Sequence, residues 1–184
     1  MNELTDNELM LLVKAGDLDK MSLLFKRYNM FLYNFLFQMI YDREASEDIV
    51  QNTFYRMLKY RQTFTGSGEF KVWMFHLGRN LLKDHLRNSQ KKGKQEEVHL
   101  VAENLEGGLP ADGQINKKQE QAQLQKAMKQ LTNEEREILT LSKFKELRYH
   151  EIAQILEINE GAVKVRVHRA FTRLKNIYQK NGLI

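Results

Sequence analysis

Apolar residues at helical spacing dominate the first half of the chain. From residue 21 to residue 39 they recur at steps of three and four, which predicts one long amphipathic helix. A second helix is predicted after Asp42, a residue that can cap it, and a third begins near Glu69. Residues 63–68, rich in Thr, Gly and Ser, predict a loop between them. The three predicted apolar stripes are Met21, Leu24, Phe25, Tyr28, Phe31, Leu32, Phe35 and Met39; Val50, Phe54, Met57 and Leu58; and Phe70, Trp73, Met74, Leu77, Leu81 and Leu82.

The last third of the chain is also helical in its periodicity, and the order of its elements predicts a helix-turn-helix. Thr132 is followed three residues later by Glu135, which is the spacing of a capping box. A short helix over 149–156 is separated by a break from a last helix that Asn159 can cap. Two helices joined by a tight turn, the second of them basic, are typical of DNA-binding units. The predicted inner face of the last helix is Val163, Val167, Ala170, Phe171 and Leu174.

The charge of the chain changes sign twice along its length. Residues 1–92 carry a net charge of +3, residues 93–116 carry −4 and residues 117–184 carry +6, within a total of +5. The acidic stretch also holds the only proline and four of the ten glycines, and its apolar residues have no clear period. We therefore expect an all-α protein of two helical domains, residues 1–92 and 120–184, joined by a flexible acidic linker over 93–119.

Several kinds of chemistry are excluded or unsupported by the sequence. The 184 residues contain no cysteine, so disulfides, thiol catalysis and cysteine-ligated zinc are excluded. His150 and Glu151 begin a zinc-protease motif, but Gln154 stands where its second histidine belongs. No apolar run approaches the about 20 residues of a membrane span, and the N-terminal pattern is not that of a secretory signal. We expect a cytoplasmic protein that is not an enzyme, with no metal site, no cofactor and no membrane partner.

The final predicted helix is basic on the side opposite its apolar face. Lys164 and His168 stand one turn apart, and Arg166, Arg169 and Arg173 form a neighbouring row. Such a helix fits the major groove, where Arg can donate to guanine and Lys or Arg can neutralise phosphate. A solvated surface helix would show a similar run of charge, but the helix-turn-helix context favours contact with DNA.

Motifs in both domains resemble those of bacterial RNA polymerase sigma factors, specifically the extracytoplasmic-function (ECF) group of the sigma-70 family. Residues 45–54 match the family pattern A-E-D-l-v-Q-x-x-F, and residues 70–80 are similar to f-x-x-W-L-x-x-I-a-r-N. Residues 131–139 and 161–170 carry the resemblance in the second domain, the latter to G-t-V-k-s-R-l-h-R-A. LuxR-type regulators share the second-domain pattern, so the first-domain motifs distinguish the two families. Ala162 and Val165 replace a common Thr and Ser, which reduces polar contacts near the start of the recognition helix.

For the first domain, the resemblance implies binding to the clamp helices of the largest polymerase subunit and melting and reading of the promoter −10 element. The residues that match the polymerase-binding motif are Asp48, Gln51, Asn52 and Phe54, of which Phe54 is expected to pack inward. Those that match the −10-reading part are Phe64, Trp73, Arg79, Asn80, Lys83 and Arg87. Of these, Trp73 could stack on DNA, but its apolar neighbours favour a place in the core.

For the second domain, the resemblance implies reading of the −35 element as duplex DNA. The residues that carry over are Arg148, Lys164, Arg166, His168, Arg169 and Arg173. The implied partners are core RNA polymerase, promoter DNA and an anti-sigma factor, which the family often has. Two other hypotheses stay open at this point: a stand-alone, LuxR-like helix-turn-helix regulator and a protein-interaction module. The second of these leaves the cationic rows unexplained.

Overall fold

The computed structural model describes residues 4–92, 112–143 and 147–180, and within these ranges all regular structure is helical. The expected all-α class is confirmed. Helix α5 begins inside the span expected to be linker, and residues 93–111 of that span lie outside the described ranges. The helices are α1 (Asp6–Ala15), α2 (Lys20–Ile40), α3 (Arg43–Lys59), α4 (Phe70–Lys92), α5 (Asp112–Lys129), α6 (Asn133–Lys143), α7 (Tyr149–Leu156) and α8 (Glu160–Lys180), with a 3-10 turn at Arg61–Thr63.

The first domain consists of α1–α4, and α2 lies at its centre. The predicted stripe of α2 is largely buried, and α1, α3 and α4 all pack against this helix. The rings of Phe35 and Phe75 meet edge to face, with centroids 5.2 Å apart, where α4 crosses α2. Gly78 lets the two helices approach closely, since a Cβ placed there would stand 3.2 Å from a methyl carbon of Leu32. This packing sets the direction in which α4 presents its outer residues.

The helix caps predicted from the sequence are confirmed in both domains. Asp42 accepts a 3.0 Å hydrogen bond from the backbone N–H of Ala45 and so begins α3. Thr132 and Glu135 form the expected reciprocal capping box at α6. Asn159 accepts a 2.7 Å bond from the N–H of Ala162 and begins α8.

The second domain consists of α5–α8, and its last two helices form the expected helix-turn-helix. Val163, Ala170 and Leu174 on α8 are buried as predicted. Phe171, which was predicted on the inner face, is 52% exposed, and that prediction is wrong. At about 100° per residue it lies about 80° around the helix from Val163, so its ring extends past the buried face and into solvent.

The two domains pack directly against each other. Helix α4 lies on α7, and α2 lies on α6. The side chain of Arg136, on α6, reaches across to donate a 3.2 Å hydrogen bond to the carbonyl oxygen of Met39, near the end of α2. Helix ends of one domain are therefore partnered by side chains of the other.

We expect Asn159→Ala to lower the free energy of unfolding by about 1 kcal/mol, because the first turn of α8 loses its cap. Asn159→Asp, which keeps the acceptor oxygen, should remain close to wild type. Chemical denaturation followed by circular dichroism measures both variants. Equal stability of Asn159→Ala and Asn159→Asp would contradict the role of this cap.

Candidate polymerase and nucleic-acid interface

The first part of the interface is a polar patch on α3. Asp48, Gln51 and Asn52 are exposed within about one turn of the helix, as the sequence predicts. Phe54 is 5% exposed and meets the ring of Phe25 edge to face, so it supports the patch from inside and offers no surface to a partner.

A groove of about 420 Å³ lies beside this patch, between the start of α3 and the far half of α4. Four carboxylates line it, and His85 is the only basic side chain among its lining residues. An acidic groove next to an exposed polar patch suits a partner that presents cationic side chains. The charged and polar lining residues are Asp42, Glu44, Asp48, Asn52, Asp84, His85 and Asn88.

A second row of functional candidates runs along the exposed side of α4. Asn80, Lys83 and Arg87 are exposed, and their spacing places them on one side of the helix. Arg87 is held by Asp84, one turn earlier, at 3.0 Å. An amide that can both donate and accept, flanked by cations, is suited to a nucleic-acid strand.

Arg79 does not join this row. Its side chain turns toward the second domain, where Nε and one terminal nitrogen donate to the two carboxylate oxygens of Glu137 at 2.7 and 3.1 Å. The other terminal nitrogen donates to the carbonyl oxygen of Ile155. The assignment of Arg79 to the −10 element stays a prediction; in this structure all three of its guanidinium nitrogens donate across the domain interface.

An aromatic cluster holds the loop between α3 and α4. Phe64 is 3% exposed and packs against Trp73 and Phe70, with ring centroids 5.2 and 6.4 Å away. The Phe64 ring therefore packs in the core in this structure, while its assignment to the −10 element stays a prediction. Trp73 is half-buried in the same cluster, as its apolar neighbours suggested.

Helix α1 holds this loop in place, a role that the sequence analysis missed. Lys14 Nζ donates to the carbonyl oxygen of Phe64 at 2.7 Å. The Asn7 amide donates to the carbonyl oxygen of Gly68 at 2.9 Å and accepts from the N–H of Phe70 at 2.8 Å. The signal for α1 was present as a Thr5 to Glu8 capping box before an apolar run. What could not be inferred was its attachment to a loop about 60 residues away in sequence.

The basic face of α8 is open to solvent. Lys164, Arg166, His168, Arg169 and Arg173 are all exposed, and Arg148 is exposed where α7 begins. Two of these cations have exposed acidic neighbours: Lys164 lies 3.2 Å from Glu160, and Arg173 lies 3.3 Å from Glu135. Exposed pairs of this kind contribute little to stability, so both cations are available to an anionic partner.

The middle of this exposed face carries an apolar side chain that the site prediction did not include. Val165 is 48% exposed and lies on the second turn of α8. The helical period places Val165 almost directly opposite the buried Val163 and Ala170, between the cations. The sequence shows the valine, but only its exposure distinguishes it from a core residue.

The interface between the domains contains several further charged contacts. Lys71 of α4 forms an ion pair with Glu151 of α7 at 3.2 Å. The Tyr41 ring has two cations near it: Lys129 Nζ lies 4.6 Å from its centroid, and the Arg136 guanidinium lies 5.5 Å away. Burial raises the pKa of Tyr41, although the charge of Arg136 opposes this.

His76 also lies at this interface, on the face of α4 that turns toward Glu157. Burial is the main cause of its lowered pKa, and the charges of Arg79 and Lys83 lower it further, against the opposing effect of Glu157. The folded protein therefore favours the neutral imidazole.

Across the described ranges, with their gaps at 93–111 and 144–146, no helix is long and apolar enough to cross a membrane. The same residues hold no group of three His, Asp or Glu side chains that could bind a metal ion.

We expect the free energy of unfolding to fall as the pH drops through about 6.5, the usual pKa of histidine. Below that pH the unfolded chain binds a proton at His76 more readily than the folded chain does, so acid favours unfolding. Denaturation curves between about pH 7.5 and 5.5 measure this slope. His76→Gln should make the slope shallower, and parallel curves for the variant and wild type would contradict the assignment.

Comparison with known proteins agrees with this geometry. Residues 24–92 match the family Sigma-70 region 2, and residues 121–174 match Sigma-70, region 4. The chain is 30% identical to the ECF RNA polymerase sigma factor SigM of Bacillus subtilis over 161 residues, which cover 85% of this chain and 94% of SigM. It is 28% identical to the ECF RNA polymerase sigma factor BldN of Streptomyces coelicolor over 171 residues, 92% of this chain but only 64% of BldN.

Solved structures show the same fold. CnrH, solved in complex with the cytosolic domain of CnrY, superposes with a TM-score of 0.73 at 19% identity and covers 95% of this chain and 97% of that chain. The sigma factor RpoE of Bartonella quintana, solved with the anti-sigma factor NepR, gives 0.68 at 22% identity over 86% of this chain and 96% of that chain. Both sigma-70 regions occur here in order, and full-length similarity to SigM accompanies them. The chain therefore belongs to the ECF group of the sigma-70 family of RNA polymerase sigma factors.

Proposed function

We propose that this sigma factor divides promoter-specific initiation between its two domains. Residues 1–92 bind core RNA polymerase and engage the −10 element, residues 120–184 bind the −35 duplex, and the acidic segment 93–119 links them. The observation that carries this proposal is the separation of three chemically distinct surfaces. These surfaces are the polar patch on α3 with its acidic groove, the polar and cationic row on α4, and the cationic face of α8.

For polymerase binding, we assign the exposed patch of Asp48, Gln51 and Asn52 together with the adjoining acidic groove. A carboxylate and two amides present acceptors for Arg and Lys side chains of a clamp helix, and the groove adds negative potential around them. Phe54 contributes by packing beneath the patch.

For the −10 element, we assign Asn80, Lys83 and Arg87 as the residues that meet the separated strand. The amide offers a donor and an acceptor to a base edge, and the cations neutralise neighbouring phosphates. The Thr65 to Gly68 loop is exposed beside α4, and Gly66 takes a positive φ of 75° in it. A loop of small residues allows an unstacked base to come close to the protein backbone. The packed rings of Phe64 and Trp73 support this loop from the core.

For the −35 element, we assign the exposed face of α8, with Arg148 at the start of α7 as a phosphate contact. We assign Lys164 and Arg166 to base edges because they lie near the start of the helix. We assign the residues further along this face to the DNA phosphate backbone: His168, Arg169 and Arg173. Val165, at the centre of the same face, offers an apolar contact suited to the C5 methyl group of thymine.

The remaining parts of the proposal concern partners, location and catalysis. Sigma factors regulate RNA polymerase, and the polymerase supplies the metal and the chemistry. We therefore propose that this chain catalyses no step itself, needs no cofactor and acts in the cytoplasm with polymerase.

An anti-sigma factor is a further proposed partner, since the structurally similar RpoE was solved with NepR bound. A stand-alone regulator is less favoured, because it leaves the Sigma-70 region 2 match unexplained.

We expect Asp48→Arg to weaken binding to purified core RNA polymerase at least tenfold, about 1.4 kcal/mol, because it places a cation against cationic clamp side chains. Fluorescence anisotropy of labelled protein titrated with core polymerase measures the affinity. The matched control is Asp17→Arg, an equal charge reversal on an exposed turn before α2. Unchanged affinity for Asp48→Arg, or an equal loss for Asp17→Arg, would contradict the polymerase-binding assignment.

We expect binding to a selected −35 duplex to weaken several-fold when thymine in its recognised block is replaced by uracil, which lacks the C5 methyl group. Val165→Ser should bind the thymine duplex more weakly and lose most of the difference between the two duplexes. Gel-shift titration of wild type and variant on both duplexes measures the effect. If wild-type protein binds every uracil-substituted duplex as tightly as the thymine duplex, Val165 does not contact a thymine methyl group.

A further inference from the structure

The engagement of Arg79 separates it from the other cations assigned to DNA. Its side chain is 12% exposed and that of Glu137 is 16% exposed, whereas those of Lys164 and Arg173 are more than half exposed. The guanidinium forms a two-pronged pair with the Glu137 carboxylate, and its third donor group reaches the Ile155 carbonyl oxygen. All these acceptors belong to the second domain, so each of the three guanidinium nitrogens of Arg79 already donates there, and its two-pronged Nε edge is occupied by a carboxylate.

The closed arrangement affects the DNA surfaces unequally. Arg79 is adjacent in sequence to Asn80 and one turn from Lys83, and it is the member of the −10 group that the second domain covers. The −35 face of α8 remains exposed while the domains are packed together. Closure therefore withholds part of the single-strand surface and leaves the duplex surface open.

The carboxylate that binds Arg79 accepts hydrogen bonds in the same way as a phosphate of a DNA strand. Carboxylate and phosphate both accept a planar, two-pronged pair from a guanidinium, so they compete for the same donor groups. The two oxygens of Glu137 thus occupy the pair of donor groups that Arg79 would offer to a phosphate.

On this basis we propose that Glu137 is an intramolecular competitor of the −10 strand. It pairs with Arg79 in the closed protein, and the second domain must leave α4 before that arginine can bind DNA. This inference rests on the proposed function of α4. It makes access to the −10 surface depend on domain separation, while −35 duplex binding does not.

The rest of the interface is suited to a reversible closure. Besides Arg79 to Glu137, it includes the Lys71 to Glu151 pair and the hydrogen bond from Arg136 to the Met39 carbonyl oxygen. The charged groups of these pairs can be exchanged for other ionic partners that offer the same pairing geometry. Exchange of these ionic contacts for contacts with a DNA strand would accompany separation of the domains.

The first test uses the full-length protein with Glu137→Gln, which keeps the shape of the side chain and removes its charge. The probes are a labelled oligothymidine strand of about 12 nucleotides and a mixed-sequence duplex. We expect Glu137→Gln to raise affinity for the strand about fivefold or more and to leave duplex affinity unchanged. The control for the added net positive charge is Asp17→Asn, at an exposed site distant from the interface.

A second variant separates closure from simple electrostatics. Lys71→Gln removes a cation, which by itself weakens binding to any nucleic acid. It also leaves Glu151 without its ion-pair partner at the interface, where the Glu151 side chain is 3% exposed. If closure masks the −10 surface, Lys71→Gln binds the strand more tightly despite the lost charge. Weaker strand binding by Lys71→Gln would overturn the proposal.

Domain separation can be measured directly because the chain contains no cysteine. Cysteines introduced at Asn34 and Gln179, both exposed and in different domains, accept a fluorophore pair. We expect energy transfer to fall in Glu137→Gln and on addition of the strand, but not in Asp17→Asn. Unchanged energy transfer in Glu137→Gln overturns the proposal. The proposal is also overturned if energy transfer falls in Glu137→Gln but its affinity for the strand does not rise. Transcription in vitro with core polymerase tests the proposed sigma function separately. If the wild-type protein directs transcription while the closure tests fail, only the closure proposal is overturned.

Discussion

Burial of the apolar stripe of α2 is the constraint on which the rest of the structure depends. Leu24, Leu32, Phe35 and Leu36 are fully buried, and four other helices pack against α2: α1, α3, α4 and, from the second domain, α6. Truncating a buried phenylalanine costs about 3–5 kcal/mol, a large part of the stability of a domain. Because α3 and α4 share this support, the polar patch on α3 and the exposed row on α4 keep a fixed geometry relative to each other.

Charge organises the surfaces that this core supports. The acidic side chains of α3 and the cations of α8 face solvent. Between the domains the two signs meet in Arg79 with Glu137 and Lys71 with Glu151. A protein that must bind a polyanion can use its own carboxylates to cover its cations until the polyanion arrives. Closure through ion pairs therefore follows from the same composition that makes DNA binding favourable.

Local signals in the sequence predicted the elements well. The stripe of α2, the caps at Asp42, Thr132 and Asn159, and the outward face of α8 depend on residues within one or two turns of each other. The motifs around Asp48 and Asn80 likewise identified exposed positions on α3 and α4. Short-range periodicity and capping chemistry are sufficient for such predictions.

The features that the sequence did not reveal depend on contacts between distant residues. Arg79 and Glu137 are 58 residues apart, and no local pattern shows that they pair. Phe64 was assigned to a DNA-facing loop, but α4 provides a hydrophobic pocket for its ring. Phe171 fits the apolar period yet extends past the buried face of α8 and into solvent. In each case tertiary packing, not local propensity, decides which face of a residue meets solvent.

The central claim is that two separate surfaces of one chain specify a promoter in partnership with polymerase. The most direct measurement is transcription in vitro with purified core polymerase, this protein and a library of random duplexes, followed by sequencing of the productive templates. The account predicts start-site-specific RNA that depends on this protein and comes from templates sharing two separated sequence blocks. Absence of RNA, with enrichment of a palindromic duplex bound without polymerase, would contradict it.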